Sequence, residues 1–170
     1  MDDVEIMINN YDLFVTRISH GKLPLQPLLY KKILSFINEN YKESQKHSCK
    51  KGFQFHGDFD GKEKLNNYLN SFLNNIFRNN IEHGWLNVLG NNSYNMPHYH
   101  NGNEISLSGV FYLSNGNNIN FTKDGEVFEL QPKIFDYLIF PHNLVHYVLP
   151  EKRSEKRISY AFNLAPIKSL

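Results

Sequence analysis

Two histidines separated by a single residue, His98 and His100, are the side chains in this sequence best placed to do chemistry. Alternate side chains of an extended backbone point the same way, so both imidazoles face one side of a strand or loop. Imidazole is a good ligand for iron, zinc, copper and nickel, and this spacing lets two rings converge on one ion. The pair therefore predicts a metal site that supports redox or Lewis-acid chemistry.

A third ligand is expected from residues 135–148, where a buried apolar strand ends at Pro141 and a turn follows. Two histidines in this segment are available, His142 and His146. His142 lies in the turn, and we expect it to face solvent or substrate. His146 opens the next strand, where a barrel presents side chains to its mouth. We therefore expect His146 to complete a three-histidine metal site with His98 and His100. The histidines expected to be ordinary surface or hydrogen-bonded residues are His20, His47, His56 and His83.

Arg157 and Ser159 lie two residues apart in a later strand-like segment, residues 157–163, and so share one face. An inward arginine in an otherwise apolar strand is costly unless an anion pairs with it, and this strand contains no acidic residue. A guanidinium binds a carboxylate through two parallel hydrogen bonds, and a hydroxyl can add another. We therefore expect the two residues to hold a carboxylate-bearing molecule near the metal. The alternative is that Arg157 points outward from a solvated edge.

The surrounding segments predict the elements that position these side chains. From residue 81 onward, short strand-like segments alternate with clusters of Gly, Asn and Pro. Many short strands after a pair of helices favour a small barrel or jelly roll braced by helices. We expect one domain over residues 1–170, in which residues 11–80 supply a first strand and helical support and residues 81–163 form the barrel core. The predicted strands of this core are residues 85–89, 107–114, 119–122, 126–130, 137–140, 146–149 and 157–163.

The N-terminal half predicts a strand over residues 11–18 and two amphipathic helices over residues 28–41 and 62–79. Asp60 is expected to cap the second helix. Residues 43–57 are polar and basic, which favours a loop. The apolar side chains expected to face the core are Leu29, Ile33, Phe36 and Ile37 of the first helix, and Leu65, Leu69, Phe72, Leu73 and Ile76 of the second.

Composition narrows the class of protein. The 170 residues are 41% hydrophobic, enough for a substantial core, and the net charge of +1 argues against nucleic acid as the main partner. Cys49 is the only cysteine, so an intrachain disulfide is impossible and a reducing cytoplasm is the simplest expectation. No segment approaches the ~20 apolar residues of a membrane span, and no membrane partner is expected.

Several of these motifs together resemble the Fe(II)/2-oxoglutarate-dependent oxygenases, including the prolyl-hydroxylase-like branch and small phage and bacterial members. The resemblance covers residues 52–163 and implies a double-stranded β-helix with the metal at its open end. The segments that carry it are Trp85-Leu86-Asn87, His98-Tyr99-His100, residues 107–113, residues 136–141, His146 and Arg157-Ile158-Ser159.

The resemblance also implies roles for individual residues. His98 and His146 match the iron-binding histidines of the family. Arg157 matches the arginine that binds the distal carboxylate of 2-oxoglutarate, with Ser159 in the accompanying position. Tyr112 matches a strand tyrosine that often bonds the same carboxylate, although a core aromatic is the alternative for this residue. The implied reaction uses Fe(II), 2-oxoglutarate and dioxygen to hydroxylate a peptide, amino acid or small molecule, releasing succinate and CO2.

His100 departs from the family pattern, because the usual first motif is His-x-Asp and gives the metal one carboxylate. Glu104 lies close enough in sequence to supply that carboxylate instead. The histidines also partly fit a cupin, so the alternative function is a cupin-type metal-dependent dioxygenase or isomerase without 2-oxoglutarate. A second alternative is a non-catalytic ligand-binding barrel. A cupin does not require Arg157 and Ser159, and this pair favours the oxygenase.

Overall fold

The described part of the chain, residues 8–13, 16–102, 105–152 and 154–167, forms twelve strands and two helices in the computed structural model. The mainly β class with helical support is as the sequence predicts. The helices are α1 (Pro27–Asn40) and α2 (Lys62–Phe77). The strands are β1 (Ile8–Leu13), β2 (Thr16–Lys22), β3 (Ser44–Lys46), β4 (Cys49–Phe55), β5 (Asn79–Leu89), β6 (Tyr94–His98), β7 (Leu107–Tyr112), β8 (Ile119–Lys123), β9 (Glu126–Leu130), β10 (Asp136–Pro141), β11 (Val145–Val148) and β12 (Arg157–Pro166).

Antiparallel pairing joins the strands in the order β1-β2-β10-β7-β12-β5-β4-β6-β11-β8-β9, with β3 paired to β4. We call the part from β1 to β5 the major wall and the part from β6 to β9 the minor wall. Strand β4 joins them, because Phe53–Phe55 pair with β5 while Cys49 and Lys50 pair with β6. The walls face each other, since the rings of Phe121 on β8 and Phe140 on β10 lie 5.0 Å apart. This curled sheet is the predicted jelly roll.

Strand β12 shows how the sequence sorts side chains between two cores. Tyr160, Phe162 and Leu164 point outward and pack against the helices, in the larger apolar cluster. Arg157 and Ser159 occupy the alternate positions and point between the walls, where they line a cavity. The two-residue period of a strand therefore separates a helix-covered apolar face from a polar interior face.

The helices cover the outer face of the major wall. The predicted inward residues of α1 are buried at Leu29, Ile33 and Ile37, whereas Phe36 is half-buried. In α2 the buried residues are Leu65, Leu69, Phe72 and Leu73. The prediction for Ile76 was wrong, because this residue lies in the last turn, beyond the last buried side chain, and is 39% exposed.

Asp60 does not cap α2. The N-cap is Gly61, whose φ of 98° lies in the left-handed region that glycine adopts without strain, and no side chain caps the helix. The Asp60 carboxylate instead accepts a hydrogen bond from Lys32 Nζ at 2.9 Å. The cap position was therefore predicted one residue too early and with the wrong chemistry.

Residues 43–57 are not a loop, since they contain β3 and β4. The apolar signal of β4 is short, because Phe53 and Phe55 face the helices while Gln54 points between the walls. The predicted strand over residues 11–18 is split between β1 and β2, which pair as a hairpin around residues 14 and 15, outside the described ranges. Residues 11–80 thus add β2 and β4 to the barrel itself. No helix in the described ranges is long and apolar enough to cross a membrane.

Candidate active site

His98, His100 and His146 meet at one end of the space between the walls. His98 is the last residue of β6 and lies opposite His146 of β11 in the strand register. The ring centroids are 4.3 Å apart for His98 and His146, 5.4 Å for His98 and His100, and 5.2 Å for His100 and His146. One ring nitrogen of each lies within 4.8 Å of those of the other two, which no other trio of potential ligands in the described ranges achieves. The three imidazoles could hold a metal ion.

Backbone carbonyls fix the orientation of two of these rings. His98 Nδ1 donates to the carbonyl of Met96 at 2.7 Å, and His146 Nδ1 donates to the carbonyl of Leu144 at 2.9 Å. A carbonyl oxygen only accepts hydrogen bonds, so Nδ1 carries the proton and the lone pair is left on Nε2. Such partners commonly set the tautomer of metal-binding histidines.

His100 is held in the same tautomer by side chains. Its Nδ1 lies 2.5 Å from Asn163 Oδ1 and 2.9 Å from Ser108 Oγ. Its backbone N–H donates to the carbonyl of His142 at 2.8 Å. His142 therefore positions the loop that carries His100, and it does not join the histidine trio. Glu104, the alternative carboxylate ligand, lies outside the described residues.

Burial keeps these imidazoles neutral. It lowers the pKa of His98 below the ordinary value and lowers the pKa of His100 to about 4. The pKa of His146 falls well below the ordinary value, because of burial and the neighbouring charges of His98, His100 and Arg157. Neutral imidazole is the form that binds metals, so no histidine of the trio needs to lose a proton before it binds a metal ion at neutral pH.

Arg157 and Ser159 lie on the major wall, where their side chains are buried. Arg157 is only 2% exposed, which excludes the outward alternative. Its Nη2 donates to Tyr112 Oη at 3.2 Å, and its guanidinium lies 5.0 Å from the centre of the Tyr112 ring. Burial raises the pKa of the Tyr112 hydroxyl, which therefore stays protonated. Gly116 passes directly beside the arginine stem, since a Cβ there would lie 2.6 Å from Arg157 Cγ.

One narrow cavity joins the histidines to the arginine. Its volume of about 30 Å³ is enough for roughly two water molecules. Tyr112 does not line the cavity and reaches it only through Arg157. The polar lining includes Gln54 and Asn87, two residues that sequence reasoning missed. The predicted site residues that line it are His98, His100, His146, Arg157 and Ser159.

A wider groove of about 500 Å³ opens outside this cavity and shares His98 and His100 with it. We call it the mouth groove. Three histidines expected to be ordinary surface residues line it, His47, His56 and His83. The spacing of His83 and Trp85, two residues apart, was a usable signal, because it places both on one face of β5. The other lining residues are Ser48, Gln54, Trp85, Met96, Pro97, Tyr99, Asn101 and Asn163.

No protein-family model matches the sequence, and no curated protein matches it. Solved structures do match the fold. A prolyl-4-hydroxylase from Pseudomonas putida aligns at TM-score 0.64 with 15% identity, over 92% of this chain and 96% of that one. A 2OG-Fe(II) oxygenase family protein from Burkholderia pseudomallei aligns at TM-score 0.63 with 14% identity, over 86% and 84%. HygX from Streptomyces hygroscopicus, solved with nickel, 2-oxoglutarate and hygromycin B, aligns at TM-score 0.63 with 10% identity, over 86% and 82%.

This chain has the fold of the 2OG-Fe(II) oxygenases. The predicted double-stranded β-helix is confirmed by these likenesses and by the curled antiparallel sheet. In this oxygenase fold the histidine trio lies on and beside the minor wall, and Arg157 lies on the major wall. Because the identities are low, the roles of individual residues depend on their geometry in this chain.

Proposed function

We propose that the chain is an Fe(II)- and 2-oxoglutarate-dependent dioxygenase. The observation that carries the proposal is a single cavity with three neutral, pre-oriented imidazoles at one side and a buried arginine at the other. A metal held by imidazoles and a carboxylate-binding cation are the two features that would hold the two ends of 2-oxoglutarate. The cupin alternative leaves the buried Arg157 without a function.

His98, His100 and His146 would bind Fe(II) through Nε2, because Nδ1 of each ring is already hydrogen-bonded. Iron held there would supply the redox chemistry that couples oxidative decarboxylation of 2-oxoglutarate to oxidation of a substrate C–H bond. Three neutral ligands leave the full charge of the ion uncompensated, unlike a set with one carboxylate. This donor set therefore favours an anionic fourth ligand such as the C1 carboxylate of the cosubstrate.

Arg157 and Ser159 would bind the distal carboxylate of 2-oxoglutarate. Tyr112 supports this role indirectly, since its hydroxyl accepts from Nη2 and restrains the guanidinium plane. Arg157 also lies close enough to lower the pKa of His146 through its charge, as expected of two groups bridged by one small molecule. The cavity has room for only about two waters, so the lining side chains must move apart to admit a five-carbon dicarboxylate.

The substrate would enter through the mouth groove, which ends at His98 and His100. The expected outcome is hydroxylation of a small molecule or peptide, with release of succinate and CO2. Trp85 closes one side of this entrance, its ring 5.5 Å from that of His100, and would help to exclude water from the reacting bond.

Anaerobic Fe(II) titration with and without 2-oxoglutarate tests the proposal. Chelation of the 2-oxo acid by bound iron is expected to produce a weak visible charge-transfer band. Arg157→Ala should abolish the band at cosubstrate concentrations that saturate the wild type, while leaving Fe(II) binding intact. Arg157→Lys keeps the positive charge but loses the paired hydrogen bonds of the guanidinium, and should give an intermediate affinity for 2-oxoglutarate. Arg78→Ala, at an exposed arginine, is the matched control.

Succinate release under air provides the second measurement. The wild type should release succinate in an Fe(II)-dependent manner, and His146→Ala should not. Metal binding with neither a band nor succinate would sink the oxygenase proposal and favour a cupin-type reaction. A band that survives Arg157→Ala would overturn the anchor assignment alone.

A further inference from the structure

Three nearly parallel rings lie beside the metal site, and we call them the ring platform: His56, His83 and Trp85. Trp85 is 7% exposed and stacks against the other two rings, so the histidines present the accessible face of the platform. The planes of His56 and His83 differ by 16°, those of His56 and Trp85 by 14°, and those of His83 and Trp85 by 30°. Their centroids are 5.3 to 5.6 Å apart. All three rings line the mouth groove.

The two imidazoles of the platform lie side by side and not face to face. His56 Nδ1 and His83 Nε2 are 3.0 Å apart, and the ring centroids are 5.3 Å apart. The centroid separation exceeds the nitrogen separation by about two ring radii, so the hydrogen bond runs along the line of centres in a nearly common plane. The two rings together therefore make one flat surface, larger than either ring.

This geometry does not suit a second metal ion. In a metal site, the nitrogen lone pairs of neighbouring histidines converge on a point between them, whereas these two nitrogens face each other at hydrogen-bond distance. His47 lies nearby, its ring 5.2 Å from that of His56, yet these histidines do not form a metal-competent trio in the described ranges. A flat hydrogen-bonded pair beside an indole is instead suited to stacking.

The same groove contains a buried polar atom, Gln54 Oε1, that has no hydrogen-bond partner in the described part of the chain. Gln54 is 5% exposed and lines both the cavity and the mouth groove. An unsatisfied buried amide oxygen is costly, which indicates that a ligand or water supplies the missing donor. Gln54 and His56 are two residues apart, so both lie on the face that carries the platform.

We propose that the mouth groove binds the substrate through a planar heteroaromatic ring, of nucleobase type, stacked on the ring platform with its polar edge at Gln54. The groove volume of about 500 Å³ suits a small molecule that carries such a ring. The net charge of +1 argues against a nucleic-acid backbone as the main partner, and so favours a small molecule that carries the ring. The assignment as substrate rests on the proposed function, but the binding itself can be measured without it.

Trp85 provides a direct readout, because it is the only tryptophan in the chain. Metal-free protein is titrated with adenosine and with cytidine, and indole fluorescence is excited at the red edge of its absorption, where the nucleosides do not absorb. Saturable quenching is expected with a nucleoside and not with ribose. His83→Ala should weaken the affinity about tenfold, because stacking of a base on one ring is worth about that much.

His83→Phe is the matched variant that keeps a ring and removes the hydrogen bond to His56. It should retain the affinity within about threefold if stacking carries the interaction. Gln54→Met preserves the side-chain volume but removes the amide, and should weaken binding of both nucleosides. Arg78→Ala, at an exposed arginine that does not line the groove, should leave the quenching unchanged.

The outcomes separate this inference from the proposed function. No quenching by either nucleoside, equal quenching by ribose, or no effect of His83→Ala overturns the inference. Quenching that persists in His146→Ala, which cannot form the iron band, supports it. A protein that forms the band but does not respond to nucleosides refutes the inference alone. A protein that responds to nucleosides but forms no band refutes the proposed function alone. Binding of two zinc ions, reduced to one by His83→Ala, would assign a metal site here and overturn the platform.

Discussion

Asn163 Oδ1 accepts a hydrogen bond from His100 Nδ1 at 2.5 Å. Asn163 lies on β12 of the major wall, whereas His100 follows β6 of the minor wall. The amide is thus the partner that selects the tautomer of the one histidine which departs from the His-x-Asp pattern. Ser108 supports the same nitrogen at 2.9 Å. The orientation of the third proposed metal ligand therefore depends on residues that would not contact the metal.

Asn163→Leu should weaken metal binding about 10- to 100-fold, the usual effect of removing a residue that orients a ligand histidine. The physical reason is that His100 can then rotate or change tautomer. Isothermal titration with Co(II) measures the affinity, and urea unfolding checks that the fold is kept. Asn163→Asp is the matched control, because its carboxylate still accepts from Nδ1 and should preserve the affinity. Equal affinities for wild type and Asn163→Leu would show that Asn163 does not set the orientation of His100.

His100→Asp should retain one bound metal and change its properties. A carboxylate lowers the net charge of the complex by one, so we expect a lower reduction potential and a weaker pull on the anionic cosubstrate. His100→Ala should lose most of the metal affinity. Fe(II) binding, followed by the position of the charge-transfer band, distinguishes the variants. If His100→Ala binds Fe(II) as the wild type does, a different residue completes the site.

Gly116→Ala should lower the affinity for 2-oxoglutarate without changing that for the metal. The added Cβ would lie 2.6 Å from Arg157 Cγ and 2.8 Å from Cδ, so the buried guanidinium must shift. We expect a loss of about tenfold, since a displaced fork keeps its charge but loses paired hydrogen bonds. Gly90→Ala is the control, because the nearest atom to its Cβ is the Tyr41 hydroxyl at 3.3 Å. An unchanged cosubstrate affinity in Gly116→Ala would argue against Arg157 as the anchor.

The metal-free protein should lose stability as the pH falls below about 6.5. Burial depresses the pKa of His98, His100 and His146 in the folded state, with His100 at about 4. At a pH between the folded and the unfolded pKa values, the unfolded chain binds more protons than the folded protein. The free energy of unfolding therefore decreases as the pH falls through this range. Above the range these histidines do not change the free energy of unfolding. Urea unfolding at pH 7 and pH 5 measures the difference. His146→Gln removes one of the three titrating groups, so its free energy of unfolding should fall less between pH 7 and pH 5 than that of the wild type. An equal fall would contradict the depressed pKa of His146.

The period of apolar residues in the sequence predicted the strands and helices that have one apolar face. The alternation in β12 predicted that Arg157 and Ser159 share a face, and the 3.6-residue pattern predicted both helices. It failed at β4, whose inward Gln54 serves the cavity and breaks the apolar signal. It also failed at β6, where Asn95 is buried and Pro97 interrupts the strand pattern. Polar residues that line a cavity interrupt the apolar alternation by which a strand is recognised in the sequence.

The position of His56 shows a second limit. No local pattern links it to His83 or Trp85, because the contact arises only when β4 and β5 pair. The register between two strands that are distant in sequence is a tertiary property, and the spacing of residues within one strand does not predict it. Only the His83–Trp85 half of the ring platform could have been found before folding.

Strand β4 has a mechanical consequence. In the described ranges it is the one strand that makes ladder hydrogen bonds to both walls, and the far edges β1 and β9 each have a single partner. Away from β4, the described parts of the walls are joined by loops and side-chain contacts, among them His100 with Asn163 and Phe121 with Phe140, and not by a strand ladder. Widening the cavity for a dicarboxylate would therefore disturb side-chain contacts and leave the strand pairing intact, so entry of the cosubstrate would cost none of the backbone hydrogen bonds of the sheet.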